Sequence, residues 1–412
     1  MRRIEARLQP IPVEPRRLAD YEGLAPIEQV ERAARLAEPL TGARVLLVSA
    51  PPLEVDDISA ALAPLLRGVG IDAERAILHG DRDFQLATAE LADAIRGAEW
   101  AGDAGDWRSI REACEAAAVT ADLRRHDAVL VQGVGAAALI EGRRSSSVAW
   151  VWRTGLDASA GNEHAWGLLQ PLLAAYSGLC FALPAFVPSG VGGETLRVIP
   201  GAFDPLAPGQ RELPIRELSR IARGLGLDLG RPLIAQLGAL DRWADPLTTI
   251  DAWRAARDAV SGAQLAIAGR FDPGDPEAVS LLDEIRAFAG EFDDLHLLTD
   301  RHGVGDTELN ALGRVARCTV HSTLGKHFDP AIAASLWRAT PVIEPRADRI
   351  AELAAEPGRA VQLGLLGREQ ARARFLVTRF LGDGLELIDS LLGAMPEAPA
   401  RAAPSEQAEA AA

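Results

Sequence analysis

The chain has 412 residues, of which 58 are acidic, 43 basic and 48% hydrophobic, and its formal net charge is −15. This length exceeds one ordinary hydrophobic core and predicts two domains of somewhat under about 200 residues each. The apolar fraction excludes a mainly disordered chain, and the negative charge argues against nucleic acid, whose phosphates need a basic surface. Cys114, Cys180 and Cys318 are odd in number and widely separated, so neither a disulfide framework nor a zinc site is expected, and a reducing compartment is. The start, MRRIEARLQPIPVEPRRLADYEG, has no apolar core after its arginines, and no apolar run reaches the roughly 20 residues of a membrane span. The expected location is the cytoplasm.

In chain order, APIEQVERAARLAEPLTG reads as an amphipathic helix closed by Gly42. ARVLLVSAP is a continuous apolar run stopped by prolines, which reads as a buried strand. A helix, DISAALAPLLRGVG, and a strand, IDAERAILHG, follow. HDAVLVQG and SSVAWVWRTG are two more buried strands, separated by the helical AAALIEG. IPGAFDPLAPGQRELP is the Pro- and Gly-rich linker. Beyond it the alternation restarts with RPLIAQLGAL, AQLAIAGR, LHLLTD, RCTVHST and TPVIEP as strands and DPEAVSLLDEIRAFAGEF among the helices. Strands alternating with helices predict parallel Rossmann-like sheets, with ligands at the carboxyl ends of the strands. The domains are expected at 1–205 and 206–395, the second carrying the C-terminal helices, with 396–412 a disordered tail poor in large apolar residues.

LDRWADP (240–246), GDPE (274–277), LNALGRVA (309–316), SLWRATPVI (335–343) and RFLVTRFLGD (374–383) together resemble trehalose synthases. LAEPLTGARVLLV, VWRTGLDAS and IPGAFDPL match the same family in order in the first half, so the similarity spans roughly 21–392. The resemblance implies the α/β GT-B fold, two Rossmann-like domains facing an interdomain cleft, within family 4 of the retaining glycosyltransferases. It further implies a donor nucleotide sugar such as ADP-glucose or UDP-glucose in the second domain, an acceptor sugar in the first, no metal, and a dimer.

Such a transfer needs cations on the leaving diphosphate, a carboxylate on ribose or sugar hydroxyls, and open backbone amides at the phosphates. The positions that the resemblance assigns to these tasks are changed. The clamp cations correspond to Ala239 and Ala244, and the paired glutamates to Lys326 and Ala334, while His327 and Asp329 stand where the family has glycines. Gln132 and Gly155 occupy the positions of two cleft histidines. The glycine-rich loop after the first strand is PPLEVDD, where Glu54, Asp56 and Asp57 would repel a diphosphate and cap the next helix. Arg153, Asp157, Asp241, Arg242, Lys326 and Arg349 are the remaining candidate cleft residues. Against that role, Arg153 and Asp157 pair with each other, Asp241 to Pro246 form a turn and helix start, and Arg346 and Arg349 are surface arginines.

Packing residues survive while cleft residues do not. The reading is therefore a catalytically silent trehalose-synthase-like protein acting as partner, scaffold or ligand sensor, as a homodimer or a heteromer with an active glycosyltransferase. The alternatives are an active retaining glycosyltransferase with donor contacts relocated to Arg153, Arg242, Lys326 and Arg349, and a regulator that binds a small sugar or phosphosugar. A nucleophilic hydrolase is disfavoured: there is no G-x-S-x-G elbow, and His321 and Ser322 are neighbours on a strand, so they face opposite ways. His79 and His126 lie at strand boundaries as structural histidines.

Overall fold

The computed structural model describes residues 6–51, 53, 57–100, 102, 104–143, 147–193, 196–257, 259–260, 262–270, 276–322 and 329–394. The expected tail at 396–412 lies outside these residues. No helix among the described residues is long and apolar enough to cross a membrane.

The first half builds a seven-stranded sheet from β1 (Arg7–Ile11), β2 (Arg44–Ser49), β3 (Asp72–His79), β4 (Ala128–Gln132), β5 (Ala149–Thr154), β6 (Gly178–Phe181) and β7 (Leu196–Val198), in the order β1-β3-β2-β4-β5-β6-β7. All pairs are parallel except β1, which adds antiparallel to the β3 edge. β1 carries Pro10 and polar residues, a composition that an edge strand tolerates.

Helices cover both faces, as the unbroken apolar runs of β2, β4 and β5 require. One face holds α3 (Arg82–Ile95), α4 (Ala104–Thr120) and α5 (Glu163–Leu173). The expected helix at AAALIEG is a short 3-10 segment, Ala137–Gly142. Trp150 and Trp152 fill this core, and the Trp152 indole nitrogen donates to Gly133 O at 2.9 Å, so the one polar atom of that buried ring is satisfied.

The other face holds α1 (Ile27–Ala37), α2 (Ser59–Gly68) and the last helix, α13 (Val377–Gly393). Sequence order groups α13 with the second half, yet its apolar stripe of Val377, Phe380, Leu381, Leu385 and Ile388 is buried in the core of the first sheet. The i, i+3, i+4 spacing of that stripe is what makes the chain cross back. Arg32 of α1 fixes the register through Asp383 at 2.7 Å.

The second half builds a five-stranded parallel sheet from β8 (Leu233–Ala239), β9 (Gln264–Arg270), β10 (Leu295–Thr299), β11 (Cys318–Val320) and β12 (Val342–Ile343), in the order β10-β9-β8-β11-β12. Around it lie α6 (Ile215–Gly224), α7 (Pro246–Ala256), α8 (Pro276–Glu291), α9 (Asp306–Val315), α10 (Pro330–Trp337), α11 (Ala347–Ala355) and α12 (Pro357–Arg374). The linker is tied down by side chains: Tyr21 Oη donates to Asp204 at 2.9 Å, Asn310 Nδ2 to Arg211 O at 2.8 Å, and Arg338 to Gly209 O at 3.2 Å. Burial beside Arg314 lowers the Arg338 pKa to about 10.

In both sheets the chain leaves a central strand to one side and returns on the other, between β2 and β4 and between β8 and β11. These switch points open crevices at the carboxyl ends of the strands, where ligands of such folds sit.

Candidate functional site

At the first switch point, Val48, Ser59, Leu130, Gln132 and Arg153 help line a cavity of about 30 Å³. That is room on the scale of one water, against several hundred Å³ for ordinary ligand pockets. The β4–β5 register sets Gln132 beside Arg153, and Arg153 Nη1 donates to Gln132 Oε1 at 3.0 Å. The same guanidinium lies 5.1 Å from the Phe380 ring centroid of α13, so it is packed into the domain and buried. The expected Arg153–Asp157 pair does not form. Asp157 lies past the end of β5 and accepts from Ser159 N at 3.0 Å and Ser159 Oγ at 2.6 Å, a local turn that satisfies it first. Gly155 is buried directly after β5.

The loop after β2 ends in Asp57, whose Oδ1 accepts from Ser59 N at 2.8 Å at the start of α2. The N-cap is Ile58, which has no side-chain cap, so the carboxylate stands one residue before the expected cap position and still lies at the positive end of the helix. Glu54 and Asp56 lie outside the described residues.

At the second switch point Gly238 adopts φ +136°, and a Cβ on Gly269 would lie 1.7 Å from Gly238 O, so the ends of β8 and β9 touch through glycine alone. Ala239 is exposed at the end of β8. The following turn is held by its own groups: Asp241 Oδ1 accepts from Ala244 N at 2.9 Å, and Gln236 Nε2 donates to Ala244 O at 2.5 Å. Asp245, left-handed at φ +46°, caps α7 by accepting from Thr248 N at 3.3 Å, and Pro246 opens the helix. The expected turn and helix start are therefore present. Arg242 stacks on its neighbour Trp243, with its guanidinium 4.7 Å from the ring centroid.

Beyond β11, Asp329 Oδ1 accepts from Ala331 N at 2.7 Å and caps α10, while Oδ2 lies 3.4 Å from His321 Nδ1. His321 is buried, and its Nε2 has no hydrogen-bond partner among the described residues. Ala333, Ala334 and Trp337 of α10 are buried, and Trp337 packs 5.8 Å from the Phe203 ring of the linker. Lys326 and His327 lie outside the described residues. On α11, Arg349 pairs with Glu352 and Arg346 with Asp348, each at 2.8 Å and each on the surface.

Arg153, Arg242 and Arg349 are thus engaged by three separate local partners. Three helices that begin at strand ends near the switch points, α2, α7 and α10, are each served by an aspartate of the chain itself. Among the described residues no group of three or more His, Cys, Asp or Glu could hold a metal. The three cysteines are buried and form no disulfide, and burial pushes the Cys114 thiol up and the Cys318 thiol up to about 12, so neither of these two is a thiolate at neutral pH. One contact across the cleft had no signal in the sequence: the Trp243 indole nitrogen donates to Asp93 Oδ1 of α3 at 2.8 Å, 150 positions away.

Residues 55–188 match a family model described as "Trehalose synthase, N-terminal domain". A trehalose synthase of Rubrobacter xylanophilus is 30% identical over 405 residues, covering 91% of this chain and 97% of that protein. A trehalose synthase of Pyrococcus horikoshii is 26% identical over 408 residues, covering 92% and 97%. Among solved structures, an Escherichia coli protein titled "Trehalose-6-phosphate from E. coli bound with UDP-2-fluoro glucose" superposes with a TM-score of 0.67 at 12% identity, covering 86% of this chain and 100% of its own. Sucrose-phosphate synthase of Thermosynechococcus elongatus superposes at 0.66 with 15% identity, covering 85% and 100%. These structural likenesses fix the fold as GT-B. With near-complete coverage of its curated relatives, the chain belongs to the trehalose synthase family.

Proposed function

We propose that this chain is a trehalose-synthase-like protein that does not transfer sugar and acts as a partner, scaffold or ligand sensor. The observation that carries this reading is the aspartate at the start of three helices beside the cleft. Asp57, Asp245 and Asp329 each accept from one first-turn amide of α2, α7 and α10, donors that a diphosphate would otherwise draw on. Ala239 and Ala244 add no charge where the resemblance implies clamp cations, and buried Ala334 offers no acceptor for a hydroxyl. Loss of one such group costs about 10²–10³-fold in rate, and losses within one site do not add. Relocated donor contacts gain no support from Arg153, packed under Phe380, or from Arg349, paired with Glu352.

The partner role is assigned to the outer face of α12, where Val361, Leu365 and Leu366 are exposed, with a second copy of the chain as occupant. Arg359 beside this patch pairs with Glu352 of α11, so the self-association rests on the apolar side chains. The activity test is incubation with glucose and either ADP-glucose or UDP-glucose, reading released nucleoside diphosphate and disaccharide. Product formation no faster than without protein is expected; sustained turnover overturns the reading.

A further inference from the structure

The turn between β8 and α7 does more than replace a diphosphate clamp. Its own hydrogen bonds, Asp241 to Ala244 N and Gln236 to Ala244 O, together with the left-handed Asp245, fix its shape and present Trp243 outward from the carboxyl end of β8. On the first domain, Ala94 O near the end of α3 accepts from Asn162 N at 2.9 Å, and Asn162 caps α5 just beyond the carboxyl end of β5. The end of α3 therefore stands on the cleft side of its sheet, and Trp243 reaches it.

The contact is specific in three ways. The indole N–H donates to Asp93 Oδ1 at 2.8 Å. The Arg96 guanidinium lies 4.3 Å from the indole ring centroid, within the range of a cation–π contact, and Arg242 lies 4.7 Å from it. Arg96 also ion-pairs with Asp93, so the acceptor and the cation are held together before the ring arrives. A hydrogen bond, an aromatic face and a pre-formed ion pair converge on one side chain carried by the other domain. On the linker side the domains meet through Trp337 against Phe203.

We infer that Trp243 is a latch that holds the two halves of the chain together across the cleft. The latch joins a turn fixed by its own hydrogen bonds to the end of α3. This inference stands apart from the silent-protein reading: turnover of a nucleotide sugar would overturn that reading and leave the latch in place.

The test compares the full chain with Trp243→Ala, Trp243→Phe and Arg96→Ala by solution X-ray scattering and amide hydrogen exchange, with circular dichroism as the check of folding. Trp243→Ala is expected to raise the radius of gyration and to speed exchange at 93–97 and 240–245 by at least about tenfold. Trp243→Phe keeps a ring for Arg96 but loses the N–H, and falls between. Arg96→Ala touches no core residue of the second domain and gives the same direction of change should Trp243→Ala not fold. Folded variants with unchanged scattering and unchanged exchange overturn the latch.

Discussion

Asp329 binds the first turn of α10 through Ala331 N at 2.7 Å, and the same carboxylate reaches His321 at 3.4 Å. One side chain thereby closes a helix end that faces the cleft. Asp329→Ala is expected to lower stability by about 1 kcal/mol, the usual worth of such a cap, and Asp329→Asn by less, because asparagine caps nearly as well. Urea titration of the two variants checks this. Equal losses for both would place the role of Asp329 in its charge toward His321 rather than in the cap.

Ala339, between α10 and β12, is held at φ +59°, where a Cβ is strained by roughly 1–2 kcal/mol. Ala339→Gly should therefore raise the denaturation midpoint, with the gain reduced by the larger backbone entropy of glycine. The neighbouring Gly364 of α12 has the opposite requirement. A Cβ there would lie 1.9 Å from Ala339 O, so Gly364→Ala must push α12 off α10 and should destabilise by several-fold more than Ala339→Gly stabilises.

His126 is buried before β4, and burial holds its pKa below 6.5 despite Glu74 at 3.7 Å. His296 on β10 is shifted in the same direction by the same cause. Both are kept neutral in the fold, while the unfolded chain takes up a proton below about pH 6.5. Their contribution to stability is complete above about pH 6.5 and is lost as pH falls from there toward the lowered folded values. Denaturation at pH 7.5 and 5.5 should show a drop that His126→Phe reduces. An undiminished drop would assign it to other groups.

Leu365→Glu with Leu366→Glu should leave the melting temperature nearly unchanged, because both side chains are exposed, and should abolish any dimer measured by light scattering. A dimer indifferent to both substitutions lies elsewhere on the surface.

The strands were legible because buried parallel strands are unbroken apolar runs; β2, β4, β5, β8 and β9 fall where VLLV, AVLV, VAWVW, LIAQL and AQLAIA stand. β1 was not, since Pro10 and its polar neighbours carry no apolar pattern and only the β3 edge makes them a strand. The place of α13 on the first sheet and the Trp243–Asp93 bond depend on contacts between distant segments, which no local pattern encodes. The site divides the same way. The resemblance pointed to Gln132, Arg153, Ala239, Asp241 and Asp329 but not to their partners, and in the fold Asp157 turns to Ser159 and Arg153 to Gln132. Lys326, which the resemblance also singled out, lies outside the described residues.

Calorimetric titration of the full chain with ADP-glucose, UDP-glucose and the free nucleoside diphosphates, at low ionic strength so that weak electrostatic binding is not screened, tests the central claim most directly. The account predicts no saturable heat at millimolar ligand. Saturable binding with a micromolar constant would contradict the claim that the chain's own aspartates close the donor site.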